Sequence, residues 1–148
     1  MKQVLSIEQS AELIKRGVSA DKASKRVTRQ VADSRGREID KLRLKRWKDC
    51  VPYEKATMTN LHVGLMRFEH KEIFTLADLL SLLPKSIEYG GYAEAKLNIY
   101  SRPHRRECWV AKYIVSAKTI PYDGAGEELI DALYEVLCKL LDNHVKLD

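Results

Sequence analysis

The patterning of residues 74–141 constrains this chain more than any other feature of it. Thr75, with Asp78 three residues later, reads as a capping box in which each side chain satisfies an orphan backbone N–H. Phe74 and Leu79 stand at the spacing of a hydrophobic staple. Leu76, Leu79, Leu80 and Leu83 form one apolar face, and Pro84 stops the element. Ala95, Leu97 and Ile99 then alternate with Lys96, Asn98 and Tyr100, as the residues of a half-buried strand do. After a polar turn at 101–106, Cys108 to Val115 repeats the alternation, with Trp109, Ala111, Tyr113 and Val115 on one face; the short connection makes the pair an antiparallel hairpin. Asp123-Gly124-Ala125-Gly126 reads as a break before a last helix over 127–142. Its stripe is Leu129, Leu133, Val136, Leu137 and Leu140. Glu127, Glu128 and Asp131 at the start of that helix and Lys139 near its end match the macrodipole. The pattern predicts an α+β fold, a small antiparallel sheet with amphipathic helices packed on one face.

The 148 residues suit one domain, with a well-patterned core at 74–144 and a less regular basic third at 1–60. Ser6 and Gln9 form a second capping box, Ile7, Ala11 and Ile14 recur at helical spacing, and Gly17 is the natural stop. Ser19 opens a candidate second helix whose stripe, Ala23, Val27 and Val31, is thin. Asp33-Ser34-Arg35-Gly36 is turn chemistry, and residues 42–47 alternate like an edge strand guarded by charge. An irregular connection is expected over 49–60, and one further strand over 61–68.

Net charge is +5, and its distribution is uneven. Between Lys15 and Lys48 thirteen Lys/Arg stand against four acids, whereas residues 119–148 hold seven acids and two lysines. The two regions can attract each other within the domain or drive a head-to-tail dimer, and the basic third can equally meet phosphate. The chain has no run of apolar residues long enough for a membrane span and none resembling a signal peptide, so a cytoplasmic protein is expected. Cys50, Cys108 and Cys138 are widely spaced and read as reduced thiols.

No catalytic or metal constellation emerges. His62, His70, His104 and His144 are scattered without a ligand spacing, and neither Cys108 nor Cys138 has a histidine at motif distance. Gly124-Ala125-Gly126 lacks the lysine of a phosphate loop and is followed by acids. The chain is therefore expected to be no enzyme and to use no cofactor. Residues 6–31, with Gly17 in the turn and Lys/Arg beyond it, carry the mechanical parts of a helix-turn-helix, though Lys15-Arg16 stretch the spacer and no third helix is evident. On that reading Lys22, Lys25, Arg26, Arg29, Arg43 and Lys45 contact phosphate. Trp47, flanked by Arg46 and Lys48, is either an interface anchor with a charged rim or a cover for the core edge.

Residues 6–10 (SIEQS), 17–23 (GVSADKA), 74–84 (FTLADLLSLLP) and 129–135 (LIDALYE) stand in one order. In this the chain resembles a family of small uncharacterised proteins of phages and integrated mobile elements of gut anaerobic bacteria. The shared motifs are helix caps and apolar stripes, so the resemblance implies a fold and carries over no catalytic residue or ligand. The basic segment at 22–48 departs from that family, which usually has a shorter, aromatic-rich stretch there. The resemblance implies a non-enzymatic accessory or interaction protein of a mobile element, with a protein partner or a second copy of itself. The alternative is a nucleic-acid-binding protein that uses the basic segment at 15–48.

Overall fold

The computed structural model describes residues 2–33, 35–46, 60–63, 66–91, 93–115 and 118–148, with 28–31, 39–46, 60–63, 66–70, 118 and 119 described by backbone alone. Helix α1 (Ile7–Lys15) and a 3-10 turn (Ala20–Lys22) precede strands β1 (Lys25–Ala32), β2 (Glu38–Arg46), β3 (Asn60–Val63) and β4 (Met66–Ile73). Helix α2 (Leu76–Leu82) leads into β5 (Ser86–Tyr89), β6 (Ala93–Ser101), β7 (Trp109–Val115) and β8 (Lys118–Gly126), and α3 (Leu129–Asp142) follows. The expected α+β class with antiparallel pairing is present. The strands divide between two four-stranded sheets, in the orders β2-β1-β4-β3 and β5-β6-β7-β8.

Both capping boxes form as the residue types dictate. The Gln9 and Asp78 backbone N–H groups donate to Ser6 Oγ (3.0 Å) and Thr75 Oγ1 (3.1 Å), and the cap backbones donate back to Gln9 Oε1 (3.1 Å) and Asp78 Oδ2 (2.8 Å). The core lies on one face of the second sheet. Ile87, Ala95, Ala111 and Tyr113 are buried with Leu133, Val136, Leu137 and Leu140 of α3, Leu79 and Leu82 of α2, and Leu13 of α1. Tyr113, buried in full, satisfies its hydroxyl by donating to the Pro84 carbonyl at 2.6 Å.

Three expectations are corrected. Ser19 caps only the 3-10 turn, and the segment after it is strand β1, so residues 6–31 do not form a helix-turn-helix. Val27, Thr28 and Val31 are β-branched, and the i, i+4 spacing of Val27 and Val31 is also an alternating one, which the pairing partners on both sides select. The strand expected over 61–68 is two strands, with Val63 opposite Met66 and Gly64, a residue type that weakens strand interiors, between them in sequence. Finally, Gly124-Ala125-Gly126 is no break but the end of β8.

The glycines of β8 answer to packing. A Cβ on Gly124 would lie 2.3 Å from the Ala132 carbonyl oxygen, and one on Gly126 would lie 3.2 Å from that of Glu128. Helix α3 therefore rests directly on the strand backbone, and only glycine admits that approach. Gly124→Ala should destabilise the fold by ~1–3 kcal/mol through forced displacement of the helix. Leu137→Ala, at a fully buried site, should cost ~2–5 kcal/mol. Urea unfolding checks both, and losses below about 1 kcal/mol would place the core elsewhere.

Candidate nucleic-acid interface

Strands β1 and β2 run antiparallel as one ribbon, and their register brings most of the candidate basic residues together. Lys25 stands opposite Arg46, Arg26 opposite Lys45, Thr28 opposite Arg43, and Arg29 opposite Leu42. The ribbon closes through a tight turn that the sequence dictates. Asp33 Oδ1 accepts from the Arg35 and Arg37 backbone N–H groups, both at 2.9 Å, and its other oxygen accepts from Arg37 Nε at 2.9 Å. The Arg37 backbone N–H above all, aided by the Arg35 N–H and the Arg37 guanidinium, holds the Asp33 carboxyl below the ordinary range against a smaller opposing effect of burial. Gly36 takes a left-handed φ of 78°, which a side chain would disfavour. The tip thus presents Arg35 and Arg37, both exposed.

Each expected phosphate contact has a definite place. Lys22 is exposed in the 3-10 turn, and Lys25 is half-buried at the start of β1. Arg29, Arg43 and Lys45 occupy ribbon positions described by backbone alone. Arg26 departs from the expectation of a surface contact. Its side chain is 1 % exposed and its guanidinium lies 3.6 Å from Glu72 Oε1, on the strand that flanks the ribbon. In register, β4 sets Glu72 beside Arg26 and Glu69 beside Arg29, so Arg26 has an acid on its β4 side and Lys45 on its β2 side. Trp47 falls outside the described residues.

The attraction expected between the basic third and the acidic last helix has a limited form. Among the described residues, the acids of α3 pair with Lys2 (Asp131, 3.0 Å), Arg16 (Asp142, 2.7 Å) and Lys139 (Glu135, 3.5 Å). Of these cations only Arg16 belongs to the segment at 15–48. The pairs tie the N-terminal helix to α3, and Arg16 also donates to the Cys138 carbonyl at 3.2 Å.

A second basic cluster was not singled out in the sequence. The turn between β6 and β7 carries Arg102, Arg105 and Arg106, and its run of three arginines in five residues is the signal that a reading of it as a polar turn passed over. Elsewhere the chemistry is structural. Cys108 Sγ donates to the Glu127 carbonyl at 3.3 Å. His104 and His144 are exposed at turn positions with left-handed φ. Among the described residues no group of three or more His, Cys, Asp or Glu side chains could hold a metal, and no helix is long and apolar enough to cross a membrane. Comparison of the chain with protein-family models, with curated proteins and with solved structures finds no match.

Cys138 and Tyr134, one turn apart on α3, give the molecule an alkaline limit. Burial, more than any neighbour, raises the Cys138 thiol above its usual range. Burial and then the hydrogen bond with Cys138 push the Tyr134 phenol up to about 12. Because the folded state favours both neutral forms, their stabilisation is complete below the unfolded pKa values and is lost as pH rises through the raised folded ones. The urea midpoint should hold steady between about pH 7 and 8 and decline above about pH 9, and Cys138→Ala should flatten the first part of that decline.

Proposed function

We propose that this chain is a non-enzymatic binding protein whose partner is nucleic acid, met through the β1–β2 ribbon. The observation that carries this reading is the pairing of like charges across the ribbon, Lys25 with Arg46 and Arg26 with Lys45. Like charges directly opposite each other destabilise an antiparallel pair, so their juxtaposition calls for a compensating anion. Glu72 supplies one for Arg26 from the β4 side. On the outer strand β2, Glu38 and Asp40 stand at the start and Lys41, Arg43, Lys45 and Arg46 follow, and on this reading a polyanion from outside supplies the compensation for those cations.

An accessory protein with a protein partner is the other reading from the sequence, and the arrangement of charge favours it less. The described ion pairs of α3 are made with Lys2, Arg16 and Lys139, none of which stands in the ribbon. The resemblance to phage and mobile-element proteins fits a chain that handles nucleic acid in such an element, and the proposal includes that setting.

Gel-shift titration against a duplex tests the reading. Binding should weaken with salt, log K falling by about 0.9 per phosphate contacted for each unit of log salt. The double variant Arg43→Glu/Lys45→Glu, on an edge strand where side-chain changes are tolerated, should retain its circular dichroism and lose at least about tenfold in affinity. No complex at micromolar protein in about 50 mM salt, or binding indifferent to the charge reversal, would sink the proposal.

A further inference from the structure

The turn that joins β6 to β7 concentrates cationic donors at the opposite part of the sequence from the ribbon. Arg102, Arg105 and Arg106 line an open cleft of about 530 Å³ with Glu107, Gly126 and Glu127. Arg102 is held rather than free. Its backbone N–H donates to the Cys108 carbonyl, extending the β6–β7 ladder, and its Nη2 donates to the Glu107 carbonyl at 3.0 Å. That anchoring leaves its Nε buried without a hydrogen-bond partner. A buried N–H of a charged group is costly to leave unmade, and the group that suits it is an anionic oxygen.

The other two arginines are disposed to meet the same ligand. Arg105 is exposed, with no hydrogen bond or ion pair among the described residues. Arg106 pairs with Glu127 at 2.9 Å, but the two side chains are 91 % and 63 % exposed, and a pair so solvated is worth little and gives way readily. The cleft also opens beside the start of α3, whose backbone N–H groups carry partial positive charge. Of the acids near that helix start, Glu128 accepts from the Lys2 backbone N–H and Asp131 pairs with the Lys2 ammonium, both at 3.0 Å, while Glu127 and Glu107 stay in the cleft lining. Two residues back along β6, the Lys112 ammonium lies 5.2 Å from the Tyr100 ring centroid, so the cationic surface continues from the turn onto the helix-free face of the sheet.

We propose that the Arg102–Arg106 turn is a phosphate-binding site, separate from the ribbon, in which the Arg102 and Arg105 guanidiniums hold the oxygens and Arg106 joins them on leaving Glu127. The ligand chemistry is a phosphate group, carried either by a free phosphate or by the backbone of a nucleic-acid strand. Arginine suits it because the planar fork meets two phosphate oxygens at once.

Titration of the full chain followed by ¹⁵N NMR, with Arg Nε–H signals recorded, tests this with two probes: inorganic phosphate and a thymidine oligonucleotide. Shifts at residues 102–107 with both probes assign a site for phosphate as such, and shifts with the oligonucleotide alone assign the strand as the source. Either response should weaken about tenfold or more in Arg105→Gln, which removes no internal contact, and in Arg102→Gln. Glu127→Gln releases Arg106 and should tighten binding several-fold, a gain that a merely solvated turn cannot give. The Arg43→Glu/Lys45→Glu ribbon variant should leave the response at 102–107 intact, which separates failure of this site from failure of the ribbon. Absence of shifts with both probes, or shifts unchanged in Arg105→Gln and Glu127→Gln alike, would overturn the proposal.

Discussion

The fold depends on the contact of α3 with the bare backbone of β8. Because Gly124 and Gly126 present no side chain, the helix comes close enough for its own polar groups to reach the strand edge. The Lys139 ammonium donates to the Asp123 carbonyl at 2.7 Å and to its carboxylate at 3.0 Å, and Glu135 accepts from the Ala125 N–H at 3.3 Å. An edge strand with free N–H and C=O groups invites pairing with another chain, and here a helix of the same chain occupies part of that edge. The close approach also buries Ala132, Leu133 and Val136 in full, at positions that a helix set further out would leave short of partners.

The rest of the molecule is tied to that helix. Lys2 reaches its first turn and Arg16 its last, so the N-terminal segment lies along it. The same segment bridges at Val4 to Thr75, and Leu5 and Leu76 exchange backbone bonds with Phe74 and Gln3. Ser10, buried in the first helix, accepts from the Phe74 N–H at 3.2 Å. Since Phe74 follows β4 and precedes α2, one short stretch joins the first sheet to the core beneath the second. The N-terminal helix is thus joined to the first sheet at the end of β4.

How far the sequence could be read follows from the range of the interactions involved. Caps, apolar stripes and the β6–β7 hairpin are local, and Ser6 with Gln9, Thr75 with Asp78, and the alternation of 95–99 announce them within a few residues. The glycines of β8 were misread because glycine locally signals a turn, whereas the cause here is a helix that begins after them and packs back over them. Strand β1 was misread because Val27 and Val31 satisfy both a helical and an extended period, and the arbiter was pairing with β2 and β4, the latter some forty residues away. Separation in sequence also hid the ribbon: Arg26 and Lys45 become neighbours only in register, and Glu72, which pairs with the buried Arg26, lies on a third strand. The arginines at 102–106 needed no register to be seen, only a reading of the turn for charge as well as for conformation.

Charge on the first sheet has two causes that can be told apart by strand position. Cations on β2 fit its place at the edge, where lysine and arginine discourage a neighbouring chain from adding a strand. That cause does not extend to β1, which is flanked by β2 and β4 and has no open edge to guard. Lys25, Arg26 and Arg29 nevertheless stand in β1, two of them opposite further cations. Solubility does not account for Arg26 either, since its side chain is buried. Lys25, half-buried at the start of β1 and opposite Arg46, adds to the positive potential of the ribbon. Charges in adjacent strands sit well within one screening length of each other and act together on an approaching anion. Glu72 offsets the buried charge of Arg26 in the free protein. Protection of an edge requires charge on the edge strand alone, and charge that continues inward onto β1 is the feature on which the proposed recognition of a polyanion rests.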